Sequence, residues 1–243
     1  MNVLELFSGT GSIGKCCKEI GWNAISVDLE LPATHECDIM DFDYKQYPKD
    51  YFSIVWASPP CTSYSRLQDG WLGRMRKGEI YTKEIQEKEM NQDDKLVLKA
   101  LEIIDYFNPE VWFIENPAGS RMKDRPFMKD KPFYLVDYCM YSDWGYRKRT
   151  RIWTNKKDFN NKLCDGKGTC GNMTDKQHNK VLGNGYEEID GKKVLINTKE
   201  KRLLHKTNLG NSERKRRTMG NGTSQKDRYR IPEELIFSLF LTW

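Results

Sequence analysis

The chain has 243 residues, enough for one large domain or a domain with a small insert, and ample to bury a core. Its 40 Lys and Arg against 35 Asp and Glu leave a net charge of +5, too little to define a partner, but two basic runs at 147–151 and 214–217 suit a polyanion. Seven cysteines without a disulfide-like framework predict reduced thiols, and with no basic leader and no apolar run of about 18 residues the expectation is a soluble, intracellular protein without membrane contact.

In chain order, Asn2 to Phe7 reads as a short strand, Ser8 to Gly14 as a glycine turn, and Lys15 to Ile20 as a helix closed by Gly21. The spacing Gly9, Gly11, Gly14 fits a turn that lets a backbone approach a nucleoside cofactor, without choosing between a nicotinamide dinucleotide and S-adenosylmethionine. The next strand, Ala24 to Val27, ends at Asp28, whose carboxylate can accept both hydroxyls of a ribose. Asp38, in the turn Cys37 to Asp41, either meets an adenine amino group or caps a surface turn.

Ser53 to Ala57 is apolar and β-prone, which suits a buried parallel strand; Pro59 and Pro60 then stiffen the turn that presents Cys61. Arg66, Arg74, Arg76 and Lys77, among Gly70, Gly73 and Gly78, form either a mobile phosphate-gripping loop or a plain solvated one. From Thr82 to Phe107 the period is helical, with Leu96, Ala100, Ile103, Ile104 and Phe107 on one face. The strand Val111 to Ile114 ends in Glu115-Asn116-Pro117, so two parallel-type strands end in reactive side chains at one sheet edge. Runs 134–140 and 150–154 are β-prone, and Arg149 and Arg151 fall on one side of the second.

Residues 155–226 are polar and glycine-punctuated and read as an insert between a catalytic unit, 1–154, and a terminal segment, 227–243. Cys164, Cys170, His178 and His205 match no common zinc-finger spacing, so no metal is expected. Pro232 opens a last helix with Ile236, Leu239, Phe240 and Trp243 on one stripe, expected to dock on the main domain.

Methylation of a cytosine at carbon 5 needs a thiolate adding at carbon 6, a carboxylic acid at ring nitrogen 3, and cations to favour the thiolate and hold the base carbonyl. The chain offers this inventory in order. Leu6-Phe7-Ser8-Gly9-Thr10-Gly11, Pro60-Cys61 with Ser65, Glu115-Asn116, and Arg149 with Arg151 together resemble the cytosine-5 DNA methyltransferase family over nearly the whole chain outside the insert. The resemblance implies an α/β fold with a Rossmann-like class I methyltransferase sheet, flanking helices and a small irregular insert for target recognition. It implies S-adenosylmethionine held by Phe7, Ser8, Gly9, Thr10, Gly11, Asp28, Asp38 and Ile39, and catalysis by Cys61, Glu115, Arg149 and Arg151. Pro60, Ser65 and Asn116 would lie on the substrate side, double-stranded DNA would be the partner, and the protein would act as a monomer. Pro117 and Arg147 depart from the family's usual Val and Gln, and Arg230-Ile231-Pro232 replaces its usual last motif. The Cys-Phe-Thr signature of tRNA-acting members is absent, which favours DNA. The alternatives are a nicotinamide-dependent oxidoreductase, an amino-group methyltransferase, and a non-catalytic DNA-binding relative.

Overall fold

An apolar run that does not alternate predicts a strand covered on both faces, and the central strands are covered in this way. The computed structural model describes residues 1–143, 147–174, 177–178, 186–189, 192–195 and 229–241. Strands β1 (Asn2–Leu6), β2 (Asn23–Asp28), β3 (His35–Glu36), β4 (Ile54–Ala57), β7 (Val111–Pro117), β8 (Phe133–Asp137) and β9 (Arg149–Thr154) form a seven-stranded sheet of order β3-β2-β1-β4-β7-β9-β8. The pairs from β3 through β7 are parallel, whereas β9 runs antiparallel to both β7 and β8.

Alternation along the strands sends successive residues to opposite layers. Leu4, Leu6, Val55, Ala57 and Ile114 meet helix α2 (Lys83–Phe107) through Val97, Ala100, Ile103, Ile104 and Phe107. Val3, Ile54, Trp56, Val111 and Phe113 meet helix α1 (Ser12–Glu19) through Ile13, Cys16 and Cys17, and also the last helix. Thr82 caps α2 by accepting from the Ile85 N–H at 3.3 Å, and Asn108, with φ at 44°, turns the chain out of it. Between β2 and β4 the order reverses: β1 leads through α1 outward to β2, and the chain returns to place β4 on the other side of β1. Ligand sites of open α/β sheets form at such a reversal, beyond the carboxyl ends of the strands.

Two local features differ from the expectation. Helix α1 begins at Ser12, not Lys15, because its first-turn N–H groups find an internal acceptor described below. The stretch read as a loop holds a hairpin, β5 (Met75–Arg76) with β6 (Glu79–Ile80), turned by Lys77 and Gly78 at φ 51° and 88°. Its two-residue strands are too short to show periodicity. The two strands at the sheet's edges are both limited: β3 has two residues, and the segment after β9 runs along β8, with the Asp137 N–H bonded to the Lys162 carbonyl at 3.2 Å and the Asn161 amide to the Leu135 carbonyl at 2.7 Å.

Within 155–226 the described residues include two short hairpins, β10 (Met173–Thr174) with β11 (Gln177–His178) and β12 (Tyr186–Ile189) with β13 (Lys192–Leu195). His205 and Trp243 lie outside the described residues. A short helix, α3 (Pro126–Lys129), follows β7, and the last helix, α4 (Glu233–Phe240), packs Leu235, Ile236, Leu239 and Phe240 onto the sheet, with the Ile231 N–H donating to Ser12 Oγ at 3.2 Å. Phe240 is fully buried against Trp22, Trp56 and Phe113. Truncating such a side chain costs about 3–5 kcal/mol. The expected outcome for Phe240→Ala is a loss in that range by urea denaturation, and a loss below about 1 kcal/mol would mean that α4 is not part of the cooperative core.

Candidate active site

The carboxyl ends of β4 and β7 lie side by side, Ala57 opposite Ile114. Past Ala57 the Ser58 N–H still bonds to the Leu6 carbonyl at 3.1 Å, after which the two prolines supply no donor and the chain leaves the sheet. The buried Asn116 side chain closes the gap by donating to the Pro59 carbonyl at 3.0 Å. This bond ties the turn before Cys61 to the residue after Glu115. The thiol senses the carboxylate: burial pushes Cys61 above its ordinary value, Glu115 adds to the rise, and Lys148 opposes it. Glu115 is itself held, with Oε1 accepting from the Tyr138 hydroxyl at 3.1 Å and from Lys148 Nζ at 3.3 Å. Lys148 also lies 4.7 Å from the Tyr138 ring centroid.

The cation expected at Cys61 is Arg149 or Arg151; in the structure it is Lys148 that lies beside the pair. Alternation separates them. Arg147 and Arg149 turn to the fully buried Asp137, with Arg149 Nη2 2.7 Å from Oδ2, while Lys148 between them turns the other way. Burial alone would raise the Asp137 pKa, but Arg149, Arg147 and the Cys164 N–H hold it below the usual carboxylate range. Arg151, opposite Asn116, lays its guanidinium 3.7 Å from the Phe133 ring centroid. Its Nε is buried and has no hydrogen-bond partner among the described residues.

Beyond Cys61 the loop is fastened to α2. The Tyr64 hydroxyl donates to Asp94 at 2.8 Å, Ser63 bonds to Asp93, and Arg125 bridges Asp94, Glu87 and Asn91. Arg121 grips Asp69 with one nitrogen at 2.7 and 2.6 Å. Ser65 Oγ accepts from the Leu67 N–H, capping a turn of 3-10 helix. Arg76 pairs with Glu89 at 3.0 Å and lies over the Tyr81 ring.

A cleft beside Cys61 is lined by Phe7, Val27, Asp28, Asp38, Ile39, Pro60 and Leu96. Phe7 stands at φ 57°, a left-handed conformation that non-glycine residues adopt at a cost of order 1–3 kcal/mol. Gly9, at φ 54°, brings its N–H to Asp28 Oδ2 at 2.7 Å, and Asp28 Oδ1 accepts from Glu30 and Leu31 at 3.0 Å each. Ser8 Oγ is buried and has no partner among the described residues. Thr10 and Gly11 continue the turn, with the Gly11 N–H on the Ser8 carbonyl at 2.8 Å and Thr10 Oγ1 3.2 Å from Ser12 Oγ. The N-terminus of α1 is already occupied: Glu5 Oε1 and Oε2 accept from the Ile13 and Gly14 N–H groups at 3.2 and 3.0 Å. Alternation in Val3-Leu4-Glu5-Leu6 aims this carboxylate at the α1 layer, a charge among apolar residues that was the sequence signal for it.

No protein-family profile matches the chain. A curated relative, the probable DNA (cytosine-5)-methyltransferase of Frog virus 3 (isolate Goorha), is 37% identical over 241 residues, covering 98% of both chains. The chain belongs to the DNA (cytosine-5)-methyltransferase family. Among solved structures, this methyltransferase is similar to S. pombe Dnmt2 methyltransferase, at 15% identity and a TM-score of 0.40 over 65% of the present chain and 51% of that one. It is also similar to the Entamoeba histolytica methyltransferase EhMeth, at 20% identity and 0.43 over 68% and 55%. The methyltransferase thus spans little more than half the length of these two solved chains.

Burial raises the Glu5 pKa from 4.5 to about 7, against the pull of the Gly14 and Ile13 N–H groups. Below pH 4.5 both folded and unfolded chains hold the proton. Between there and about 7 the unfolded chain has lost it while the fold retains it, so Glu5 costs stability as pH rises, up to about 3 kcal/mol. Urea denaturation across this window should show wild-type stability falling relative to Glu5→Gln; parallel profiles would remove Glu5 from the balance.

Proposed function

We propose that this chain methylates carbon 5 of a cytosine turned out of double-stranded DNA, using S-adenosylmethionine. The observation that carries the reading is the Cys61–Glu115 pair, joined through Asn116 and Pro59 and coupled in charge. A thiol whose ionisation a neighbouring carboxylate opposes suits the handing of its proton to that carboxylate. With the Cys61 proton moved to Glu115, Sγ attacks carbon 6, the ring electrons shift toward nitrogen 3, and nitrogen 3 takes the proton from Glu115. Carbon 5 is then an enamine carbon with electron density to donate. After alkylation a base or water takes the carbon 5 proton, the electrons of that bond restore the ring double bond and expel the thiolate, and nitrogen 3 returns its proton to Glu115. Tyr138 and Lys148 both bond to Oε1, which leaves Oε2 to face the base.

The cleft fits the cofactor. Phe7, Ile39 and Leu96 give apolar walls for an adenine, Asp28 and Asp38 give acceptors, and the unpartnered Ser8 hydroxyl gives a donor beside the Gly9–Gly11 turn. When bound, S-adenosylmethionine supplies the methyl group as a sulfonium. Glu5 at the α1 N-terminus argues against a nicotinamide dinucleotide, whose pyrophosphate needs those free N–H groups. Arg149 is committed to Asp137 and in this reading holds the β8–β9 edge, while Arg151, with its unpartnered Nε, is the arginine kept for a base carbonyl. Turning out the base costs a few kcal/mol, and basic side chains recover it at the phosphates.

Expression in a host without cytosine methylation, followed by bisulfite sequencing, should reveal modified cytosines, and Cys61→Ala should leave none. Glu115→Gln should lower kcat by about 10²–10⁴-fold; a loss under tenfold reassigns the acid. Lys148→Met should raise the Cys61 pKa further, because it removes the cation that opposes the rise. The ascending limb of kcat/KM against pH should therefore move to higher pH, and an unmoved limb would exclude Lys148 from activating the thiol.

A further inference from the structure

Beside the β8–β9 edge four metal-ligating side chains converge, two buried and two half-buried. Cys139 lies in the turn after β8, Cys164 on the segment after β9, Cys170 in a glycine turn, and His178 on β11. One ligand atom from each lies within 4.8 Å of all the others. Cys164 Sγ is 3.3 Å and Cys170 Sγ 3.6 Å from His178 Nε2. In tetrahedral zinc sites, Zn–S of about 2.3 Å and Zn–N of about 2.0–2.1 Å set ligand-to-ligand separations at roughly 3.5–3.8 Å. The four groups therefore need only small adjustments to close on one ion. All the cysteines are free thiols, as this requires.

We propose that Cys139, Cys164, Cys170 and His178 form a structural zinc site. Three sulfurs and an imidazole suit zinc among the common divalent ions, and four protein ligands leave no open position for catalysis. The surroundings are built for an anionic sulfur cluster. The Gly166 N–H donates to Cys164 Sγ at 3.4 Å, and Arg147 donates to the Cys164 carbonyl at 3.3 Å. The buried Asn172 amide bridges the carbonyls of Cys139, Ser142 and Cys170 at 2.8, 2.8 and 3.1 Å, which fixes two ligand segments against each other. Between Cys164 and His178 the backbone takes positive φ at Gly166, Gly168 and Gly171, and among the residues there whose side chains are described only Cys164 is apolar and buried. A segment with so little to bury gains its fold from a metal.

The spacing of Cys164, Cys170, His178 and His205 matches no common finger and predicts no metal; in space the group that joins the first three is Cys139, which precedes β9. Its position gives the ion a consequence for the active site. Cys139 follows Tyr138, which donates to Glu115, and the Cys164 N–H bonds to Asp137, which holds Arg147 and Arg149.

The full chain, expressed with zinc and purified under reducing conditions, should carry one zinc per chain by plasma mass spectrometry. Cobalt exchanged into it should give the intense visible absorption and thiolate charge-transfer bands of a tetrahedral, sulfur-rich site. Cys170→Ser and His178→Ala should each lower the zinc content at least fivefold, while Cys37→Ser, at a cysteine outside the cluster, should not. Should the variants fail to fold, the cobalt spectrum of the wild-type chain still decides. Zinc below a tenth of an equivalent, a cobalt spectrum without thiolate bands, or a Cys164–Cys170 disulfide in the reduced preparation would each overturn the site.

Discussion

The hydrogen bond from the Asn116 side chain to the Pro59 carbonyl is the constraint on which the site depends. Two prolines make the turn before Cys61 stiff but leave it without backbone donors, so the β4–β7 ladder cannot hold it. A buried amide from the neighbouring strand replaces the missing ladder bond. Because Asn116 directly follows Glu115, the residue that fixes the turn before Cys61 lies in the strand that carries Glu115. A net hydrogen bond is worth only about 1 kcal/mol, but losing this one would leave a buried carbonyl unpaired, a larger penalty. It would also free the relative position of two groups whose chemistry depends on their distance.

Around that bond the molecule divides its labour by sheet face and by charge. The apolar layers built on α2 and on α1 with α4 hold the strands, and they use side chains that alternate to opposite faces. The ion pairs gather where the loop after Cys61 meets α2, at Asp94, Arg125, Asp69 and Arg121. Exposed pairs of this kind contribute little individually, but Arg125 reaches three partners and Asp94 is nearly buried, so the network orients more than it stabilises.

Cys61 and Glu115 were legible in the sequence because each ends an unbroken apolar run, and an apolar run of that length in an α/β chain becomes a parallel strand with a defined carboxyl end. The parallel sheet, α2 with its Asn108 stop, and the docking of α4 followed from the same patterns. What pairs across strands was not legible. Tyr138 and Lys148 reach Glu115 only because β9 lies antiparallel between β7 and β8, a topology that local sequence does not encode. Arg149 and Arg151 share a side of their strand as expected, but the pull of buried Asp137 decides where Arg149 goes. The hairpin at Lys77-Gly78 was missed because its strands are shorter than any period, and Cys139 because its companions come from the far side of β9.

The two ends of the sheet have one more effect. A pleated ribbon normally finishes in a row of bare amides and carbonyls onto which another molecule's chain can zip. Here the β8 rim is overlaid by the chain around Asn161 and Lys162, whereas at the other rim β3 covers only Val27 and Asp28 of β2. Neighbouring copies crowded together on emerging from synthesis therefore find the β8 rim already taken, and are left with a short stretch of β2 as a template for stacking.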